Sequence, residues 1–178
     1  MSIEPGTYEL GPADGVLSVR TGRTGAAAKA GHNLVLHVTA WKATLEVGDQ
    51  AVIVVDADAA SLRVHEGTGG MQALGDDDKA SIEATIDDEV LKRQAIAFRS
   101  TSVAVAADGG TLAVEGELTL VGEMRPVAFE LAIDGGRLSG SAVVKQSDWG
   151  ISPYSTLFGT LKVVDEVEVV LDAVLPSS

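Results

Sequence analysis

Glu166-Val167-Glu168-Val169-Val170-Leu171-Asp172 sets Val167, Val169 and Leu171 against Glu166, Glu168 and Asp172. Successive side chains of an extended chain point to opposite faces, so this alternation is what a half-buried β-strand requires. The same period of two runs through Asn33-Leu34-Val35-Leu36-His37-Val38-Thr39-Ala40-Trp41, where Leu34, Leu36, Val38 and Ala40 share one face. Outward from these two stretches, extended runs fall at about 6–10, 15–22, 33–47, 50–56, 59–65, 94–106, 111–121, 125–134, 136–147 and 159–174. Asp14-Gly15, Asp108-Gly109 and Asp134-Gly135 punctuate these runs as Asp-Gly pairs, which favour the positive φ angles of tight hairpin loops, and Gly48-Asp49 is another expected reversal.

One stretch breaks the pattern. Ile82, Ile86 and Val90 recur at four-residue spacing, which predicts an amphipathic helix over 79–92. Asp76-Asp77-Asp78 stabilise its start through capping and the helix dipole. Asp88–Lys92 and Glu89–Arg93 are spaced to pair one turn apart. The longer runs, at roughly 15 residues of ~3.3 Å each, span about 50 Å, too far for a small flat sheet. Hairpin-linked runs with a single helix predict an all-β fold, an antiparallel barrel of eight strands with one short helix packed against it. Closure removes exposed edges, and Gly116, Gly122 and Gly140 supply the bends it needs. No repeat or linker divides the chain, so 1–178 reads as one domain.

Composition narrows the partners. A net charge of −13 repels phosphate, which excludes nucleic acid and anionic membrane surfaces as primary partners. Aromatic residues are 4% of the chain, too few for stacking platforms. With no cysteine, disulfides, thiolate metal sites and cysteine nucleophiles are all excluded. No run approaches the ~18–20 apolar residues of a spanning helix. Met1-Ser2-Ile3-Glu4-Pro5-Gly6 carries neither a basic nor an apolar targeting region. A soluble cytoplasmic protein without stable membrane insertion is the expectation.

The search for catalytic motifs is negative. Gly22 to Lys29 has Ala27 and Ala28 where a phosphate loop needs Gly and Lys, and Gly67-Thr68-Gly69-Gly70-Met71-Gln72 lacks the last glycine of a dinucleotide fingerprint. Asp56-Ala57-Asp58 opens like a calcium loop, but Ala60, Ser61 and Gly67 break it. Leu138 occupies the serine position of a nucleophile elbow in Gly136-Arg137-Leu138-Ser139-Gly140. His32 and His37 are five apart and face opposite ways on a strand. No catalytic residue, metal or cofactor is expected, and the chain reads as a non-enzyme.

The remaining chemistry is the interior. Apolar faces rich in Val, Ala and Leu leave a barrel under-filled, and burial of about 0.8 kcal/mol per CH₂ draws an apolar ligand into it. Strand parity assigns Leu34, Leu36, Val38, Phe98, Leu118, Leu120, Phe129, Leu131, Val143, Val167 and Val169 to the lining, although each serves equally as plain core. Trp149, Tyr154 and Phe158 form either a lid over the mouth or a local hydrophobic cluster. His32, Arg20 and Arg99 are the candidates to meet a polar headgroup, His32 being equally suited to local bonding at a loop-to-strand junction. The competing reading is a solid barrel whose acidic exterior docks a basic partner, as an interaction or stress-related module. Long strands also allow a homodimer.

The order of features resembles the YceI-like family of lipocalin-like, polyisoprenoid-binding proteins. Gly6-Thr7-Tyr8-Glu9-Leu10 with Asp14 and Leu17-Ser18-Val19-Arg20 is similar to the family's opening, and Trp41-Lys42-Ala43-Thr44-Leu45 to its second long strand. Ile96-Ala97-Phe98-Arg99-Ser100-Thr101 resembles the strand after the helix. Gly116-Glu117-Leu118-Thr119-Leu120-Val121-Gly122 with Pro126-Val127, then Ser147-Asp148-Trp149-Gly150-Ile151 and Asp165-Glu166-Val167, complete the likeness over nearly the whole chain. The resemblance implies an eight-stranded lipocalin-like barrel. Its elongated apolar cavity would hold an isoprenoid chain, such as a polyprenyl phosphate or a quinone-like lipid.

Overall fold

The computed structural model describes residues 3–70, 73–156 and 161–176. In chain order the strands are β1 Gly6–Leu10, β2 Gly15–Thr21, β3 Arg23–Thr24, β4 Asn33–Val38, β5 Trp41–Val47, β6 Val52–Ala57 and β7 Leu62–Thr68. Helix α1, Asp76–Thr85, continues into a π-helical turn, Ile86–Val90. Then come β8 Ile96–Val105, β9 Thr111–Leu120, β10 Glu123–Asp134, β11 Arg137–Lys145, β12 Ser155–Thr156, β13 Leu161–Val163 and β14 Glu166–Val174.

The fold is all-β and antiparallel. Among the described residues, eleven strands form one curled sheet in the order β1-β5-β6-β8-β9-β10-β11-β14-β2-β4-β7, and β12, β13 and β3 form a small second sheet. Hairpin chemistry sets much of this order. Leu120 pairs with Glu123 around Val121-Gly122, whose φ angles of +46° and +77° suit a two-residue turn. Gly122 therefore turns the chain rather than bending a strand. Gly116 does serve a close approach: it lies opposite a bulge at Ser100/Ser102, and a Cβ there would meet Phe98 Cζ at 2.5 Å.

The expected eight-stranded closed barrel is corrected to an open half-barrel of eleven strands. The run 33–47 breaks at Thr39-Ala40. Thr39 gives both its backbone N–H (2.9 Å) and its hydroxyl (2.7 Å) to the Ser61 carbonyl, and Ala40 accepts from the Asp58 N–H (3.0 Å). These bonds turn the chain onto a new strand. The run 159–174 breaks likewise at Val164-Asp165, where the Asp165 carboxylate accepts from the Ser147 N–H (2.8 Å) and hydroxyl (2.5 Å). The Ser147 hydroxyl holds the Asp165 carboxyl below its ordinary value, against the opposing effect of desolvation. Asp165 is thus a turn-stabilising group, whereas Glu168 and Asp172 pair with Arg20 and Arg137 across the outer face.

No ladder among the described residues joins β1 to β7, so the sheet has two edges. Helix α1 covers one of them: the Val64 N–H on β7 donates to the Glu83 carboxylate at 2.9 Å. A helix laid on an edge strand blunts its tendency to pair with another chain. Helix α1 begins at the expected aspartates, with Asp78 accepting from the Gly75 N–H at 3.0 Å. The π-helical turn displaces the expected charge pairs, and Arg93 Nε reaches Asp88 Oδ1 at 2.5 Å, five residues away.

Candidate functional site

One half of the sheet's interior is solid. Leu112, Val114, Ile133, Leu138 and Ala173 are buried, and a Cβ on Gly15 would fall 2.4 Å from the Ala173 Cα. The other half is not. Toward the rows Leu34–Thr21 and Val144–Val167, the sheet encloses a cavity of about 470 Å³. Its wall is aliphatic and aromatic, with Thr21, Ser81, Thr85, Ser141, Gln146 and Tyr154 as the polar contributors. Gln146 is buried and committed elsewhere, since its Nε2 donates to the Val164 carbonyl at 3.2 Å.

Sheet pleating explains which side chains reach the cavity. On β14, Val167, Val169 and Leu171 point in, and their partners on β11 are Val144, Ala142 and Gly140. Leu34, Leu36 and Val38 do the same on β4, as do Phe98 on β8, Leu118 and Leu120 on β9, and Phe129 and Leu131 on β10. The Phe98 and Phe129 rings meet at 5.4 Å between centroids, tilted by 56°, a favourable aromatic geometry. Tyr154 reaches the wall as well.

Several expected positions lie elsewhere. Val143 is 63% exposed on the outer face, because the inward phase of β11 falls on Ala142 and Val144. Arg20 and Arg99 point outward for the same reason, their neighbours Val19 and Phe98 being the inward residues; Arg20 is 3.5 Å from Glu168. Neither is placed to meet a ligand inside. His32 stands off the wall with its ring against Gly70, and beside it the Arg23 guanidinium covers Gly69 and donates to the Gly31 carbonyl. Phe158 lies outside the described residues.

Trp149 does not line the cavity. It is buried in a second cluster with Leu120, Val144 and Ile151, and its indole N–H donates to the Leu118 carbonyl at 2.8 Å. Trp149→Phe removes that bond and part of a buried ring from the cluster. The expected cost is about 1–3 kcal/mol, measurable by urea unfolding followed through Trp41 emission.

The helical segment is the part that sequence reading did not assign to the site. Ser81, Ile82, Thr85, Ile86, Val90 and Leu91 all line the cavity. The signal was present in the Ile82, Ile86, Val90 stripe, which reads as packing until the object packed against is known to be a hollow.

No group of three or more His, Asp or Glu side chains among the described residues is arranged to hold a metal ion. No helix among them is long and apolar enough to cross a membrane.

A curled antiparallel sheet around an apolar hollow, covered by one helix, defines the lipocalin-like class of half-barrel domains. The YceI-like domain matches residues 18–175, and the chain belongs to the YceI-like family. That fold is not one of a known enzyme family. The structure of BcnA from Burkholderia cenocepacia is similar, with a TM-score of 0.64 at 15% identity over 92% of this chain and 96% of that one. The YCEI protein of Campylobacter jejuni is also similar, with a TM-score of 0.58 at 12% identity over 78% of this chain and 82% of that one. No curated protein matches the sequence.

Proposed function

We propose that this protein binds or carries an apolar lipid inside the half-barrel, and that the lipid is an isoprenoid such as a polyprenyl phosphate or a quinone-like molecule. The observation that carries the reading is the cavity of about 470 Å³ with its almost wholly apolar wall. That volume falls within the roughly 300–1,000 Å³ of ligand-binding clefts. Each five-carbon unit buried there contributes about 4 kcal/mol, so a few units offset the cost of immobilising a flexible tail. Membership of a family whose members bind polyisoprenoids supports the choice of ligand. On this reading the binding residues are the wall side chains of β4, β8, β9, β10 and β14, with Ala142 and Val144 in place of Val143. His32 and Arg23, side by side off the wall against Gly70 and Gly69, are the groups assigned to a headgroup on this reading.

The solid-barrel alternative requires a filled interior, which the cavity opposes. The test is organic extraction of the purified protein with mass spectrometry, alongside titration of prenyl lipids of graded length. Enrichment of an isoprenoid, or binding at micromolar concentrations, is the expected result. Neither one occurring would remove the proposal.

A further inference from the structure

His37 and His65 lie face to face on the outer surface of β4 and β7, with ring centroids 3.9 Å apart and planes 12° from parallel. His65 occupies a bulge: Val35 pairs with Glu66 and Leu36 with Val64, so no residue of β4 stands opposite it. The residue before it, Val64, makes the edge bond to Glu83 that ties α1 to the sheet. The imidazole pair therefore sits one residue from the point where the helical segment is held down.

That segment is lightly held. None of Asp76–Val90 is fully buried, although its inner face closes the cavity. It leaves through Lys92 and Arg93, whose φ angles of +53° and +56° are unfavourable for side chains with a Cβ. Few buried contacts and a strained exit mark a unit that opens ahead of the rest of the structure.

We infer that the stacked His37–His65 pair is an acid-sensitive catch: protonation makes the two rings repel, the bulge of β7 shifts, and the Glu83 bond and α1 release the cavity. This rests on the reading of that cavity as a ligand site. The groups around the pair do not neutralise it in advance. Opposite His37 on β2 is the uncharged, buried Ser18, and Arg20 on the same strand is paired with Glu168. Arg63 on β7 lies across from His37 and adds positive charge, its guanidinium bound to the Ala60 and Leu62 carbonyls at 2.7 and 3.0 Å. The carboxylates on β7 and α1 are Glu66, then Asp76, Asp77 and Asp78 in the first turn of the helix, and Glu83, the last engaged by Val64.

Burial first, and the His65 ring second, hold the His37 imidazole below its ordinary value of 6.5. The sign follows: the stacked form is unpenalised above that value and loses stability as pH falls through it.

The experiment loads the full chain with N-phenyl-1-naphthylamine, an apolar fluorophore, and follows its transfer to excess phosphatidylcholine vesicles by stopped flow. Between about pH 7.5 and 5.5 the release rate is expected to rise roughly tenfold, across the range in which an imidazole takes up its proton. His65→Phe keeps a ring in the stack without its proton and should flatten the profile. Glu83→Ala should speed release at both pH values. Binding with release that ignores pH overturns the catch and leaves the cavity reading intact. If the fluorophore binds at neither pH, it is the cavity reading that fails, and deuterium exchange then decides the catch. Exchange at the Val64 amide and α1, corrected for intrinsic rate and referenced to Val114, should rise roughly tenfold at the lower pH. An unchanged ratio sinks it.

Discussion

Ala142→Trp is expected to weaken binding of an apolar ligand severely while leaving the fold intact. Ala142 pairs with Val169 across β11 and β14, and both face the cavity. An indole in place of the methyl enters existing space, so it displaces ligand rather than neighbouring core. Excluding three to four CH₂ groups' worth of ligand at about 0.8 kcal/mol each gives about 3 kcal/mol, or roughly a hundredfold in Kd. Urea unfolding should shift by less than about 1 kcal/mol, because overpacking is costly only where no room exists. Fluorophore titration beside urea unfolding checks both halves. A variant that binds as well as the parent would mean the ligand sits somewhere else.

Leu112→Ala and Leu118→Ala should separate the two halves of the interior, although the substitutions are chemically identical. Leu112 is 0% exposed in the solid half, so its truncation leaves a new void and should cost about 3–5 kcal/mol. Leu118 is half-buried on the cavity wall, where truncation only enlarges a space already present; about 1–2 kcal/mol is expected. Ligand affinity should show the opposite order, falling for Leu118→Ala and barely moving for Leu112→Ala. Equal stability losses in the two variants would argue that the wall packs as densely as the core.

The alternation in Glu166–Asp172 is legible because one face of β14 meets water and the other meets the interior, and the resulting pattern survives in a single strand. Phase is harder to read where both faces are apolar. Ala142-Val143-Val144 gives no contrast, and only the register with Val167 and Val169 shows that Val143 points out. Strand ends are harder still. The corner at Thr39-Ala40 depends on bonds to Ser61 and Asp58, some twenty residues away, which no local propensity contains. Helix α1 was legible as a helix, but its role as a wall is tertiary information. The His37–His65 stack arises from a bulge, and bulges depend on pairing partners rather than on the bulged residues themselves.

A hollow stopped at one end behaves as a gauge. With Leu112, Ile133 and Leu138 forming a plug, any chain that enters does so to a fixed depth, and surplus carbons must stay outside or double back. Discrimination then falls on tail length rather than on the detailed pattern of its methyl groups, because an aliphatic wall offers dispersion contacts without direction.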